Sequence, residues 1–162
     1  MNKAIFLDRD GVINKKGGSY YIYKINEFEF NPGVIEALQK FKSRGYLLIV
    51  ITNQGGVSRK IFNEDQLVEL HNFMMKHLTL NNAGLTQIYY CPHHPENEVC
   101  ECRKPGSLLF EKAIKEYDID PTLSFMIGDS DVDIIASAKV NITGIKINTN
   151  SNMMYLFKDY NF

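Results

Sequence analysis

Five short apolar runs recur along the chain, at residues 4–7, 47–52, 87–90, 124–127 and 144–147. They show little strict apolar/polar alternation, the pattern of strands covered on both faces. Between them the apolar positions take the helical period. After Asn31, Pro32 and Gly33, the residues Val34, Leu38 and Phe41 fall on one face and Gly45 supplies a stop. A helix capped by Asn31, with Pro32 in its first turn, is therefore expected. A second helix opens at Asn63, with Glu64 and Asp65 in its first turn and Gln66 at the capping-box position. Its inward stripe is Leu67, Leu70, Met74 and Leu78. A third helix is expected over residues 107–117, with Leu109, Ala113 and Ile114 inward, and a fourth from about Asp131, carrying Ile134, Ile135 and Ala138. The apolar residues of the tail, 151–162, are expected to pack as a last helix rather than on a neighbouring subunit. Strand–helix alternation predicts an α/β fold with a mostly parallel sheet, and 162 residues suit one domain over 1–162.

In such sheets ligands bind beyond the carboxyl ends of the strands, and reactive residue types sit there. Asp8 and Asp10 follow the first run. Thr52, Asn53 and Gln54 close the second. Asp129 follows the fourth, with Asp131 and Asp133 just beyond, and Arg103 and Lys104 precede the third helix. Two aspartates so close repel each other unless something offsets the cost. In extended chain Asp8 and Asp10 point to one side and Arg9 to the other; Arg9 is assigned no chemistry. Asp8, Asp10 and Asp129 make an oxygen donor set suited to Mg²⁺. A cation there also lowers repulsion between a carboxylate nucleophile and an anionic substrate, for which a phosphate ester is the natural candidate. Asp8 is expected to attack phosphorus, and Asp10 to protonate the leaving alcohol and then activate water. Thr52 and Lys104 are expected to hold the phosphoryl oxygens. Asp133 is divided between this site and a plain helix-start role.

The three cysteines change the picture. All fall in "CPHHPENEVCEC", beside two histidines. Cys91, His93, Cys100 and Cys102 form two close pairs of soft ligands that suit tetrahedral Zn²⁺, with His93 favoured over His94. All four positions would be filled by protein, so the ion's expected role is to order the loop that presents Arg103 and Lys104. Charge and composition narrow the partners: a net charge of −1, 44% apolar and 23% charged residues give no pull toward nucleic acid or membrane. The longest apolar stretch, "YLLIVI", is too short for a span, and the N-terminus lacks the features of a signal peptide. A monomeric cytoplasmic protein acting on a small phosphate ester is expected. No Walker-type loop is present, which favours phosphoryl transfer to water over a kinase reaction.

Taken together, "DRDGVIN", "TNQGGVSR", "CPHH…CECRKP" and "GDSDVD" resemble the haloacid dehalogenase-like phosphatases, and among them the capless, zinc-loop subgroup, over residues 3–148. The resemblance implies a Rossmann-like fold with no large cap domain. It makes Asp8 the nucleophile and Asp10 the proton donor, with Mg²⁺ on Asp8, Asp129 and the backbone carbonyl of Asp10. It places Thr52 and Lys104 on the phosphoryl group, Arg103 in substrate recognition, and Asn14, Asn53, Gln54 and Arg59 near the substrate. The substrate it implies is a heptose 1,7-bisphosphate cut at the 7-phosphate, with histidinol phosphate as the alternative. A catalytically silent, zinc-stabilised binding protein is the reading from another class. The chain departs from the subgroup's pattern at Ser130, where heptose members often carry lysine. Residues 15–19, "KKGGS", look like a small insertion, and Lys15 and Lys16 are candidates to make up for the lost cation.

Overall fold

The five apolar runs are the five strands of one sheet in a computed structural model that describes residues 1–18 and 21–162. Ser19 and Tyr20, at the end of the early-loop insertion, lie outside the described residues. The strands are β1 (Lys3–Leu7), β2 (Tyr46–Asn53), β3 (Gln87–Cys91), β4 (Phe125–Gly128) and β5 (Thr143–Lys146). All pairings are parallel and the order is β3-β2-β1-β4-β5. Cover on both faces holds for the central strands β1, β2 and β4. The edge strands β3 and β5 are half-exposed, because each has a neighbour on one side only.

Within the apolar runs the side chains still alternate. Ile5, Leu7, Leu48 and Val50 face one way, under α1 (Val34–Ser43) and α2 (Glu64–Leu80). Ala4, Phe6, Ile49 and Ile51 face the other, against α3 (Leu108–Glu116) and α4 (Asp131–Ala138). The α2 start is as expected: Asn63 accepts from the Gln66 backbone N–H at 2.8 Å, and Gln66 accepts from the Asn63 N–H at 3.0 Å. Gly45 takes a left-handed φ of 81° after α1, a conformation that glycine adopts without steric cost.

One expectation needs correcting, and two elements take a more definite form. Asn31 does not cap α1: its amide donates to the carbonyls of Val12 and Asn14, and Gly33 stands at the N-cap without a side-chain bond. The buried face of α4 is Asp133, Ala136 and Ser137, whereas Ile135 and Ala138 are exposed. A box between Ser130 and Asp133 fixes the first turn with Asp133 inward, and residues three and four further on share that face. The tail does end in a last helix, the single turn α5 (Leu156–Asp159), which follows a 3-10 turn (Met153–Tyr155). It covers its own chain: Phe157 and Phe162 stand 4.9 and 4.8 Å from the Phe41 ring.

The strand order positions the site. β1 has β2 on one side and β4 on the other, so the chain leaves the end of β1 at a topological switch point. The Asp8 N–H donates to the Ile127 carbonyl at 3.0 Å, holding β1 and β4 together to their ends. Phe41 is the aromatic hub under the tail and fully buried, so Phe41→Ala is expected to cost about 3–5 kcal/mol. Ile135→Ala, on the exposed face of α4, is expected to stay within about 0.5 kcal/mol. Urea unfolding of both variants measures the difference.

Candidate active site

A cavity of about 300 Å³ opens at the carboxyl edge of the sheet, lined among others by Asp8, Asp10, Thr52, Lys104 and Asp129. Asn53, Arg103 and Asp133 also reach it. At its floor the Lys104 ammonium is buried between two carboxylates, 3.0 Å from Asp8 Oδ1 and 2.6 Å from Asp133 Oδ1, and it donates to the Ile51 carbonyl at 2.6 Å. Burial favours the neutral lysine, but Asp8 and Asp133 outweigh it and raise the Lys104 pKa above its ordinary value. For Asp8 burial dominates: its carboxyl is pushed up to about 6, against the pull of Lys104 and with help from Asp133 and Asp10. The side chain of Asn53, at the end of β2, bonds both ways to the Lys104 backbone, at 2.9 and 3.1 Å, and so fixes where the lysine enters.

Asp8, Asp129 and Asp133 each place a carboxylate oxygen within 4.8 Å of the others. These hard oxygens fit a small divalent cation. Asp129 is steadied by the Thr149 hydroxyl, which donates to Oδ2 at 2.8 Å. Gly11 turns the chain beneath it at a φ of 86°, where a Cβ would come within 2.3 Å of Asp129 Oδ2. The Asp133 role left open by the sequence is thus a double one. Its Oδ1 pairs with Lys104, and its Oδ2 accepts from the Ser130 N–H and hydroxyl at the start of α4.

Asp10 sits in a different environment. The Arg9 guanidinium is fully buried and donates to Asp10 Oδ1 and Oδ2 at 2.8 and 3.0 Å. Asn14 donates to Oδ1 at 3.0 Å, and Gln54 bridges Asp10 Oδ2 and Thr52 Oγ1 at 2.8 and 3.0 Å. Burial opposes the Asp10 charge, but Arg9, Asn14 and Gln54 outweigh it and hold the carboxyl below its ordinary value. Asn14 and Gln54 are buried behind Asp10 and do not line the cavity. Arg59 is on the surface, 3.7 Å from Glu96, and is also outside it. Arg9 does turn from the cavity, yet it folds back onto the neighbouring aspartate. Its other contacts are the Ile22 carbonyl at 2.5 Å and His71 Nε2 at 3.2 Å. A guanidinium can only donate, so His71 accepts through Nε2 and carries its proton on Nδ1. Burial first, and Arg9 second, push His71 down to about 3 and keep it neutral.

Beside the cavity the loop ligands converge. Cys91 Sγ is 3.6 Å from Cys100 Sγ and 3.1 Å from Cys102 Sγ, and His93 Nδ1 is 3.2 Å from Cys102 Sγ. Tetrahedral zinc with bonds of about 2.3 Å to sulfur separates its ligands by about 3.3–3.8 Å, so the cluster has nearly the required size. His94 is not in the cluster; its Nδ1 accepts from the Glu96 N–H. Arg103 leaves the loop toward the cavity with one guanidinium N–H on the His93 carbonyl at 3.1 Å.

The Asp8 carboxyl supplies a pH test. Its folded pKa of about 6 lies above the ordinary 3.8, so the folded protein binds the extra proton and stability is lost as pH rises through that window. Without added magnesium, Asp8→Asn is expected to stabilise the fold by on the order of 2 kcal/mol above pH 7 and by much less near pH 4. Thermal melts across pH check this, and an equal gain at both ends would contradict it.

The polynucleotide kinase 3 phosphatase family matches residues 3–157 of the chain. D-glycero-beta-D-manno-heptose-1,7-bisphosphate 7-phosphatase of Haemophilus influenzae is 48% identical over 149 residues, covering 88% of this chain and 80% of that protein. The Pasteurella multocida protein of the same name is 46% identical over 147 residues, covering 88% and 79%. Among solved structures, D,D-heptose 1,7-bisphosphate phosphatase from B. bronchiseptica, complexed with magnesium and phosphate, superposes with a TM-score of 0.85 at 28% identity. It covers 99% of this chain and 88% of that one. With the parallel sheet and the aspartates at its switch point, these likenesses settle the lineage: the chain belongs to the polynucleotide kinase 3 phosphatase family of haloacid dehalogenase-type phosphatases and is a phosphoric monoester hydrolase.

Proposed function

We propose that the chain hydrolyses D-glycero-D-manno-heptose 1,7-bisphosphate at its 7-phosphate through an aspartyl-phosphate on Asp8. The observation that carries the reading is the convergence of Asp8, Lys104, Asp129 and Asp133 in one cavity, in a chain 48% identical to a phosphatase of that name. The named relatives, the near-neutral charge of −1 and the lack of a basic stripe favour a small ester over a polynucleotide.

Asp8 attacks phosphorus through its free carboxylate oxygen, and the ester P–O bond breaks. Asp10 gives its proton to the departing alkoxide. Arg9, Asn14 and Gln54 favour the Asp10 anion, so Asp10 has to take up this proton from solvent as the ester binds beside it, where the phosphate's negative charge raises its pKa. Asp10 then takes a proton from water, whose oxygen attacks phosphorus and releases inorganic phosphate and the Asp8 carboxylate. Lys104 and Thr52 neutralise and position the phosphoryl oxygens. Asn53 supports this by fixing Lys104, while Asn14 and Gln54 act by orienting Asp10. Asp8, Asp129 and the Asp10 carbonyl are the groups to hold Mg²⁺, with Asp133 at hand. When bound, the ion screens the nucleophile from the phosphate's charge. Cys91, His93, Cys100 and Cys102 are the groups to hold Zn²⁺, whose role is to order the loop carrying Arg103 and Lys104.

Two experiments test this. Metal analysis of the purified protein is expected to find one zinc per chain. Cys102→Ser is expected to lose it and to lower kcat/KM by about tenfold or more through the misplaced Lys104. Retained zinc, or retained activity without it, contradicts the loop's role. Phosphate release with Mg²⁺ is compared on heptose 1,7-bisphosphate, histidinol phosphate and a 3′-phosphorylated oligonucleotide, with Asp8→Asn as the blank. A preference for the heptose of roughly a hundredfold in kcat/KM, about 2.7 kcal/mol, is expected. Preference for another ester replaces the substrate. No turnover above the blank by any ester, including an aryl phosphate, defeats the mechanism.

A further inference from the structure

The cavity wall holds more positive charge than the reacting end uses. Three cations line it: Lys16, Arg103 and Lys104. Lys104 is committed to Asp8 and Asp133. Lys15 pairs with Glu29, away from the cavity, whereas Lys16 makes no ion pair among the described residues. The Lys16 side chain is exposed, but its backbone is clamped from both sides. Its N–H donates to Asn150 Oδ1 at 2.8 Å, and Asn150 Nδ2 donates to its carbonyl at 2.9 Å. Asn150 is itself tied down, its N–H donating to the Gly11 carbonyl at 2.8 Å, and it holds a left-handed φ of 61°. One residue earlier, Thr149 donates to Asp129. The same short segment therefore braces a carboxylate at the reacting end and pins an unpaired lysine at the rim.

We propose that Lys16, held by Asn150, binds the remote anionic group of a bis-anionic phosphate ester and so sets the preference for a bisphosphate over the matching monophosphate. The inference rests on the phosphatase reading above and adds the residue that reads the far end of the substrate. A monoester delivers its only phosphate to Asp8 and Lys104. A second phosphate brings about −1.5 to −2 of further charge, which one guanidinium does not neutralise. Arg103 supplies a planar fork and Lys16 a point charge on a flexible stem, so together they meet that charge without requiring one fixed orientation of the sugar. Asn150 acts as a positioning residue: it fixes the base of the stem, so the lysine gives up less freedom on binding.

Steady-state kinetics on heptose 1,7-bisphosphate, heptose 7-phosphate and an aryl phosphate test the assignment. Lys16→Ala is expected to raise KM for the bisphosphate about tenfold with kcat within about twofold, and to leave both monophosphates within about twofold. Lys16→Arg is expected to restore the bisphosphate KM. Asn150→Gly keeps the left-handed backbone but deletes the clamp. It is expected to raise the bisphosphate KM by about threefold, again with monophosphate turnover unchanged. Equal losses on bisphosphate and monophosphate, or no loss on either, overturn the assignment. If wild type cleaves the aryl phosphate but neither heptose ester, the substrate reading falls separately. The same ratio is then measured on fructose 1,6-bisphosphate and fructose 6-phosphate, where an unchanged ratio in Lys16→Ala overturns the proposal.

Discussion

One buried ammonium holds the site together. Asp8, Asp129 and Asp133 bring three carboxylates within 4.8 Å at the end of a sheet whose strands are largely sealed from water. Charges removed from water in this way are costly unless paired. Lys104 stands between two of them, and the third leans on the Thr149 hydroxyl. One positive charge against three negative ones leaves a deficit. Part of it is visible in Asp8, whose carboxyl is driven up to about 6 by burial and by its acidic neighbours. A divalent cation would complement that charge, because it would lower the Asp8 pKa and offset the charge of an incoming phosphate.

Lys104 reaches that position from an irregular loop, which has no ladder of its own to hold it. Three ties substitute for one. The Cys/His cluster gathers the loop from within, Arg103 bonds the His93 carbonyl, and Asn53 grips the Lys104 backbone from the end of β2. Asn53 can do this only because β2 neighbours β1 and runs parallel to it, which brings both carboxyl ends to one edge. The sheet topology and the Cys/His loop thus converge on one side chain.

Much of this was legible in the sequence for a simple reason: strands announce themselves by apolar runs, and residues directly after a strand end share an edge. Asp8, Thr52 and Asp129 follow from that alone. The Cys/His cluster was legible because soft ligands in two close pairs have few other uses. What escaped depends on contacts far apart in the chain. Asn31 has the form of a helix cap, but the Val12 and Asn14 carbonyls compete for its amide. Asp133 reads as an ordinary first-turn acid, and its second oxygen finds Lys104 only through the fold. Arg9 alternates away from Asp8 and Asp10, but β1 ends at Leu7 and the turn that follows lets the guanidinium fold back. In α4 the first turn is set by the polar Asp133, which turns inward with Ala136 and Ser137 and leaves Ile135 exposed while Ile134 stands against Gly144 of β5.

Asp8 and Asp10 show why the turn after β1 matters. They are the same residue type, two positions apart, both largely withdrawn from water, yet they are pushed in opposite directions. Asp8 shares its one cation with Asp133, and burial wins. Asp10 has Arg9 to itself, with two amides donating as well, and its charge wins over burial. A nucleophile benefits from an anion that is poorly stabilised until the substrate and its counter-ion arrive. An anion held as firmly as that of Asp10 is a weak base, so in the proposed reaction the approaching phosphate has to raise its pKa before it carries a proton. The difference follows from where the chain leaves the sheet: the Asp8 N–H still bonds the β4 edge and its carboxylate faces the crowded side, while Asp10 lies in the turn that Arg9, Asn14 and Gln54 enclose.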